Sequence, residues 1–269
     1  MSEIFYIPHG GGPLPLMGDP AYARLAAMLG GLNGSFDGCK AIILVTAHWE
    51  EAQPCLGAAA RPAMLFDYYG FPAETYRYSY PAPGAPELAE QAAAALSAAG
   101  FAPASDPDRG FDHGTFVPMM LIRPEADIPI LQMSLLASLD AARHLALGRA
   151  LGGLLGPDVA LIGSGFSFHN IGALIGRPGS DPGDGRALAK AFHDWMDETV
   201  CGTALDPAER GRRLQAWETV PGARFCHPRE EHLLPLHVCQ GAAEAAGLTA
   251  TQIFGEPVKG YQTSGYRWQ

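Results

Sequence analysis

The sequence predicts an α/β fold, one domain over residues 1–269, with a mainly parallel central sheet and helices on both faces. Three observations predict it. Apolar runs of strand length alternate with longer helical patterns, the signature of repeated βαβ units. Two of those runs, Lys40 to Ala47 and Asp158 to Gly163, are apolar almost throughout, as strands covered on both faces are. No stretch of linker composition divides the 269 residues, a length that one core can serve.

In chain order, Glu3 to Pro8 predicts the first strand. A helix is expected from Pro20 to Leu32, with Asp19 as N-cap and Pro20 at the first helical position, where its missing N–H costs nothing. Lys40 to Ala47 is the second strand. Pro86 to Ala99 reads as a helix, Ile128 to Ser134 as a strand and Asp140 to Leu155 as a helix. The strand Asp158 to Gly163 runs into a Gly-Ser turn that leads to His169 and Asn170. Arg177 to Asp184, rich in Gly, Pro and Asp, is expected to be a loop before helices at Gly185 to Thr199 and Pro207 to Trp217. A last helix from Arg229 to Ala246, interrupted by Pro235, precedes strands at Thr249 to Phe254 and Gly260 to Trp268.

Composition excludes several classes. Hydrophobic residues at 48% and charged ones at 17% suit a compact globular chain. A net charge of -10 with no run of Lys or Arg argues against nucleic acid and anionic membranes as partners. No apolar stretch approaches the roughly 20 residues that span a bilayer, and the first residues lack a signal-peptide pattern. A cytoplasmic protein is expected, open to homo-oligomer formation. The five cysteines are an odd number without a C-x-x-C pair, so they are read as reduced; Cys226, beside His227, is read as buried packing rather than as a ligand.

The chemistry lies in the histidines. His9 directly follows the first strand, His48 the second, and His169 follows the strand ending at Gly163 by one turn. Parallel sheets bind ligands in the crevice outside the carboxyl ends of their strands, so three histidines from three strands would face one crevice. Imidazole is the commonest metal ligand, and a single histidine would be read as satisfied by a loop hydrogen bond; three together favour a metal. A fourth element, His227-Pro-Arg-Glu-Glu-His232, offers His227, Glu230, Glu231 and His232 as further ligands, compatible with a two-histidine, one-carboxylate iron face. In Asp112-His113-Gly114 the histidine is placed to move a proton. The rings of Asp67-Tyr-Tyr-Gly-Phe-Pro72 suit either a pocket wall or ordinary core. His144, His193 and His237 sit in helical patterns and are read as surface or packed residues.

The ordered set His9-Gly-Gly-Gly-Pro, Ala47-His-Trp-Glu50, Tyr69-Gly-Phe-Pro72, Asp112-His-Gly114, Gly163-Ser-Gly-Phe-Ser-Phe-His-Asn170, His227-Pro-x-x-Glu-His232 and Ser264-Gly-Tyr-Arg-Trp268 resembles the class III extradiol aromatic ring-opening dioxygenases, the LigB-like superfamily. Within them it is most similar to the DOPA-dioxygenase type, and the match runs from residue 9 to residue 268. The resemblance implies an α/β domain holding one metal ion through His9, His48 and His232, with His169 as general acid/base and sometimes an additional ligand, and His113 lining the site. Where many relatives have His-Gly-Ser-Pro, this chain has Gly11 and Gly12 before Pro13, so a serine hydroxyl is missing there.

The implied reaction takes a catechol-type substrate and O2 to a muconic semialdehyde, with Fe(II) expected for activity and Zn able to occupy the same ligands without supporting the redox chemistry. His169 would take a catechol proton and later return one. Two other readings use the same residues: a zinc-dependent hydrolase, and a non-catalytic metal- or peptide-binding relative. Matches at both His113 and His169 favour the dioxygenase, since a binding module needs neither. Arg229 and Arg267 are candidates to meet a substrate carboxylate, with surface solvation the competing reading.

Overall fold

A computed structural model of the chain describes residues 3–269. The amino-terminal half contains β1 (Ile4–Pro8), α1 (Ala23–Gly30), β2 (Ala41–Glu51), β3 (Cys55–Gly57), α2 (Pro86–Ala98), β4 (Ala104–Asp106), α3 (His113–Ile122) and β5 (Ile130–Leu136). There follow α4 (Ala141–Leu151), β6 (Val159–Gly165), α5 (Ile171–Leu174), α6 (Gly185–Cys201), α7 (Pro207–Gln215), α8 (Ala223–Cys226), α9 (Leu234–Ala246), β7 (Ala250–Val258) and β8 (Tyr261–Trp268). The strands form one eight-stranded sheet in the order β4-β3-β5-β2-β6-β1-β8-β7. Its centre, β5-β2-β6-β1, is parallel. The β3–β4 pair joins β5 antiparallel, and the β7–β8 hairpin joins β1 antiparallel.

Period-two alternation in fully buried strands divides the core between two faces. Ile4, Tyr6, Ile43, Val45 and Leu161 point to one side, under α4, α6 and α9; Phe5, Ile7, Ile42, Leu44 and Ile162 point to the other, under α1 and α3. Helix starts are capped by acidic side chains: Asp140 accepts from the Arg143 N–H (2.8 Å) and Asp206 from that of Glu209 (2.8 Å). Asp19 caps as expected (2.8 Å to the Ala21 N–H), though Pro20–Tyr22 forms a 3-10 turn and α1 proper begins at Ala23.

Several expectations are corrected. The second strand does not stop at Ala47; β2 continues to Glu51 through a register shift between Val45 and Glu50, so His48 stands at the irregular part of a strand rather than after one. The last helix does not begin at Arg229. Residues 228–233 are turns, and Pro235 lies in the first turn of α9, where proline is tolerated. The short strands β3 and β4 and the helix α3 carry no period that predicts them. Helix α3 is buried nearly all round and contains Pro118, so it has no amphipathic stripe.

Two close backbone approaches bring the site-bearing segments onto the sheet. A Cβ at Gly165 would lie 2.2 Å from the His232 carbonyl, and one at Gly148 would lie 2.0 Å from the Val238 carbonyl. Glycine at these positions lets the turn before α9 rest on β6 and lets α4 pack on α9. The His232 carbonyl then accepts from the Phe166 N–H (3.0 Å) and the Tyr6 hydroxyl (2.9 Å).

His144, His193 and His237 are all fully buried, so the packed reading holds and the surface one does not. His144 Nδ1 donates to the Asp140 carbonyl (2.7 Å) while Nε2 accepts from the Leu136 N–H (3.1 Å). His193 donates to the Ala189 carbonyl (2.7 Å), and His227, equally buried, donates to the Ser167 carbonyl (2.8 Å). Burial chiefly lowers the pKa of His144 and of His193 to about 4, and that of His227 to about 3. Because the fold holds these imidazoles neutral, their contribution is complete above the unfolded value of about 6.5 and is lost as pH falls toward the folded values. Going from pH 7.5 to 5.5 is therefore expected to cost about 4 kcal/mol from these three groups. Denaturant midpoints at the two pH values check this; equal midpoints would refute it.

Candidate metal centre and catalytic cavity

The order β2-β6-β1 puts the carboxyl ends of three strands side by side, with Thr46 level with Ser164 and Pro8 level with Gly165. The His9 N–H continues the ladder to the Gly165 carbonyl (2.9 Å). From these ends, and from the turn before α9, three imidazoles converge. His48 Nε2 lies 3.1 Å from His9 Nε2 and 3.2 Å from His232 Nε2.

The far nitrogen of each ring meets an acceptor, which fixes its tautomer. His9 Nδ1 is 3.0 Å from Ser164 Oγ, whose own hydroxyl donates to the Gly114 carbonyl, so the imidazole must be the donor. His232 Nδ1 faces Glu231 Oε1 at 3.0 Å, and His48 Nδ1 faces Asp67 Oδ2 at 3.4 Å. Carboxylates only accept, so Nδ1 carries the hydrogen in each ring and Nε2 presents a lone pair. Burial first, then the charges of neighbouring histidines, hold His9, His48 and His232 well below the usual imidazole pKa; for His48, Asp67 and Glu231 oppose this. Three unprotonated nitrogens facing one another are unfavourable without a cation between them. Their separations suit ligands about 2.0 to 2.1 Å from a common centre, so this donor set fits a divalent metal.

His113 packs against His48 and His169 against His232. His113, the first residue of α3 behind the N-cap Asp112, packs its ring 3.8 Å from that of His48, centre to centre. Its backbone N–H and Nδ1 both donate to Asp67 Oδ1, at 3.0 and 2.8 Å. Burial opposes ionisation of Asp67, but the His113 hydrogen bond and the charges of His113 and His48 outweigh it and lower the pKa to about 2. His169 stacks on His232, with centroids 3.3 Å apart and planes at 15°, and its Nδ1 lies 3.0 Å from Glu231 Oε1. A single carboxylate oxygen thus receives both His169 and His232.

The sequence-derived residues His9, His48, His113, His169 and His232 all meet in one place. His227 does not; its Nε2 is bonded to Ser167, and it supports the segment whose His169 N–H donates to the Cys226 carbonyl (2.8 Å). Glu230 pairs with Arg224 (2.7 Å). Cys226 is buried, and all five cysteines are free. Arg229 is engaged by Glu50 (2.5 and 2.6 Å), and Arg267 pairs with Glu3 beside the opposite end of β1. Neither arginine lines the cavity.

Sequence reasoning missed Asp67 and Ser164 and weighed Glu231 only as a ligand. Asp67 stood in the stretch noted for its rings, and a lone acid before them gave no signal. Those rings, Tyr68, Tyr69 and Phe71, all line a cavity of about 480 Å3 that opens over His48, His113, His169 and His232. Gly12, at φ +56, makes room there: a Cβ on it would lie 3.1 Å from the Phe71 ring.

The family model described as the catalytic LigB subunit of aromatic ring-opening dioxygenase matches residues 33–265, a stretch that holds four of the five histidines and begins after His9. The chain is 44% identical over 257 residues to the dioxygenase tasH of Hapsidospora irregularis, covering 90% of this chain and 78% of that protein. It is 35% identical over 247 residues to a 4,5-DOPA dioxygenase extradiol of Portulaca grandiflora, covering 90% and 86%. A crystal structure of an uncharacterized Escherichia coli K12 protein superposes with a TM-score of 0.77 over 99% of both chains at 24% identity, a likeness of fold.

Proposed function

Since the chain belongs to the LigB family of aromatic ring-opening dioxygenases, we propose that residues 1–269 form one catalytic domain that opens the ring of a catechol with O2. The observation that carries this reading is the convergence of three Nε2 atoms beside two carboxylate-tethered histidines, under a cavity walled by Tyr68, Phe71 and Phe166. Such a wall suits a flat ring. Among the described residues no helix is long and apolar enough to cross a membrane, and we assign the enzyme to the cytoplasm.

His9, His48 and His232 would hold the metal, Fe(II) in the working enzyme. Bound there, the ion would supply the Lewis-acid and redox chemistry that O2 needs to react with a closed-shell ring. The remaining work belongs to the chain. With Nδ1 donating to Glu231, His169 offers Nε2 as the base that takes the second catechol proton and returns one to the product. With Nδ1 donating to Asp67, His113 offers Nε2 to the same substrate. Both oxygen atoms of O2 enter the product, a muconic semialdehyde that keeps the carbon and hydrogen count of the catechol.

Anaerobic reconstitution with Fe(II), followed by a catechol panel and O2, is expected to give a coloured semialdehyde with one O2 consumed per catechol. Zinc-loaded protein is expected to consume none. Absence of oxygen uptake across the panel, with iron bound, would overturn the reading.

A further inference from the structure

The cavity over the histidines is mostly apolar, and among its described lining residues the one lysine or arginine is Lys259; no aspartate or glutamate lines it. Asp67 and Glu231, beside the histidines of the cavity, face histidine nitrogens instead. Lys259 belongs to the turn between β7 and β8, where Val258 pairs with Tyr261 and both central residues are left-handed, Lys259 at φ 50 and Gly260 at φ 89. Such two-residue hairpin turns favour Asn, Asp or Gly at the first position, because a longer side chain is strained there. Local structure alone therefore does not call for lysine. Its ammonium sits 6.0 Å from the centre of the Tyr22 ring, another cavity wall.

The other two lysines of the sequence are in ion pairs, Lys40 with Asp158 (2.8 Å) and Lys190 with Asp194 (2.6 Å). Lys259 has no such partner among the described residues. In a chain of net charge -10, whose overall field repels anions, a single uncommitted cation at the cavity wall is a local reversal of sign.

We infer that Lys259 selects the substrate: a catechol whose side chain ends in a carboxylate, bound by the Lys259 ammonium, in preference to one ending in an ammonium. This rests on the catechol reading above and adds the chemistry of the substituent. A compact ammonium on a flexible stem suits one carboxylate oxygen at the end of a short chain.

The test uses zinc-loaded protein, which binds without turning over, titrated anaerobically with 3-(3,4-dihydroxyphenyl)propanoate, 4-ethylcatechol and 2-(3,4-dihydroxyphenyl)ethylamine by calorimetry. The propanoate is expected to bind about tenfold tighter than the other two, the size of one charge-assisted hydrogen bond. Lys259→Met should remove that advantage and leave 4-ethylcatechol within about twofold of its starting affinity, whereas Lys259→Arg should keep most of it. An equal loss for all three ligands, or a preference unchanged in Lys259→Met, would overturn the assignment. A carboxylate preference that depends on Lys259 in a protein whose iron form takes up no O2 would remove the ring-opening reading and leave Lys259 in its role. Failure of all three to bind would overturn both.

Discussion

His48→Ala is expected to reduce bound metal from about one ion per chain to less than about a tenth, and to abolish oxygen uptake with it. Its Nε2 is the common neighbour of the other two, 3.1 Å from His9 and 3.2 Å from His232, so its loss removes the nitrogen that stands closest to both. Asp67 stays tied to His113, whose backbone N–H and Nδ1 hold its Oδ1 at 3.0 and 2.8 Å. The fold should survive. Around position 48 the backbone is tied independently: the His48 carbonyl accepts from Arg109 (3.3 Å), and Arg109 also pairs with buried Asp112 (2.9 Å). Metal analysis together with far-UV circular dichroism checks both halves; a folded His48→Ala protein with a full complement of metal would remove His48 from the ligand set.

What the sequence made legible and what it hid follow from the range of the interactions. Strands β1, β2 and β6 were readable because two-sided burial demands apolar runs, and with them came the rule that the crevice lies at their carboxyl ends. That rule found His9, His48 and His169, although β2 runs on past His48. Helix α3 was not readable, because a helix buried on nearly every side has no polar stripe to set its period. Asp67 was hidden for a different reason. Its task is to meet His113, 46 residues away, and His48, and nothing in the local pattern encodes a contact that the folded chain alone creates. Glu231 and His232 are neighbours of equal ligating capacity, and only chain direction sorts them. The turn before α9, pinned through the His232 carbonyl to Tyr6 and Phe166, aims His232 at His48 and leaves Glu231 between the Nδ1 atoms of His232 and His169.

That shared carboxylate gives His169→Ala its expected signature: metal retained, and kcat lowered about 10² to 10⁴-fold, the usual range for removing a general acid or base. Retention follows because Glu231 Oε1 keeps its bond to His232 Nδ1 (3.0 Å) when His169 is gone, so the ring of His232 stays oriented. The loss of rate follows because the neighbouring His232 is assigned to the metal, and His113 is engaged elsewhere, against His48 and Asp67. Removing the ring also uncovers one face of His232, now stacked at 3.3 Å, so a small fall in metal affinity is consistent with the proposal and a large one is not. The measurement is paired: metal content of the purified variant, and single-turnover decay of the catechol under saturating O2. Partial rescue of the rate by added imidazole would tie the loss to the missing base, since a small molecule can refill the space and carry the proton. Unchanged kcat would take the base assignment away from His169. Loss of metal to the extent expected for His48→Ala would instead make His169 a fourth ligand, with the proton then left to His113.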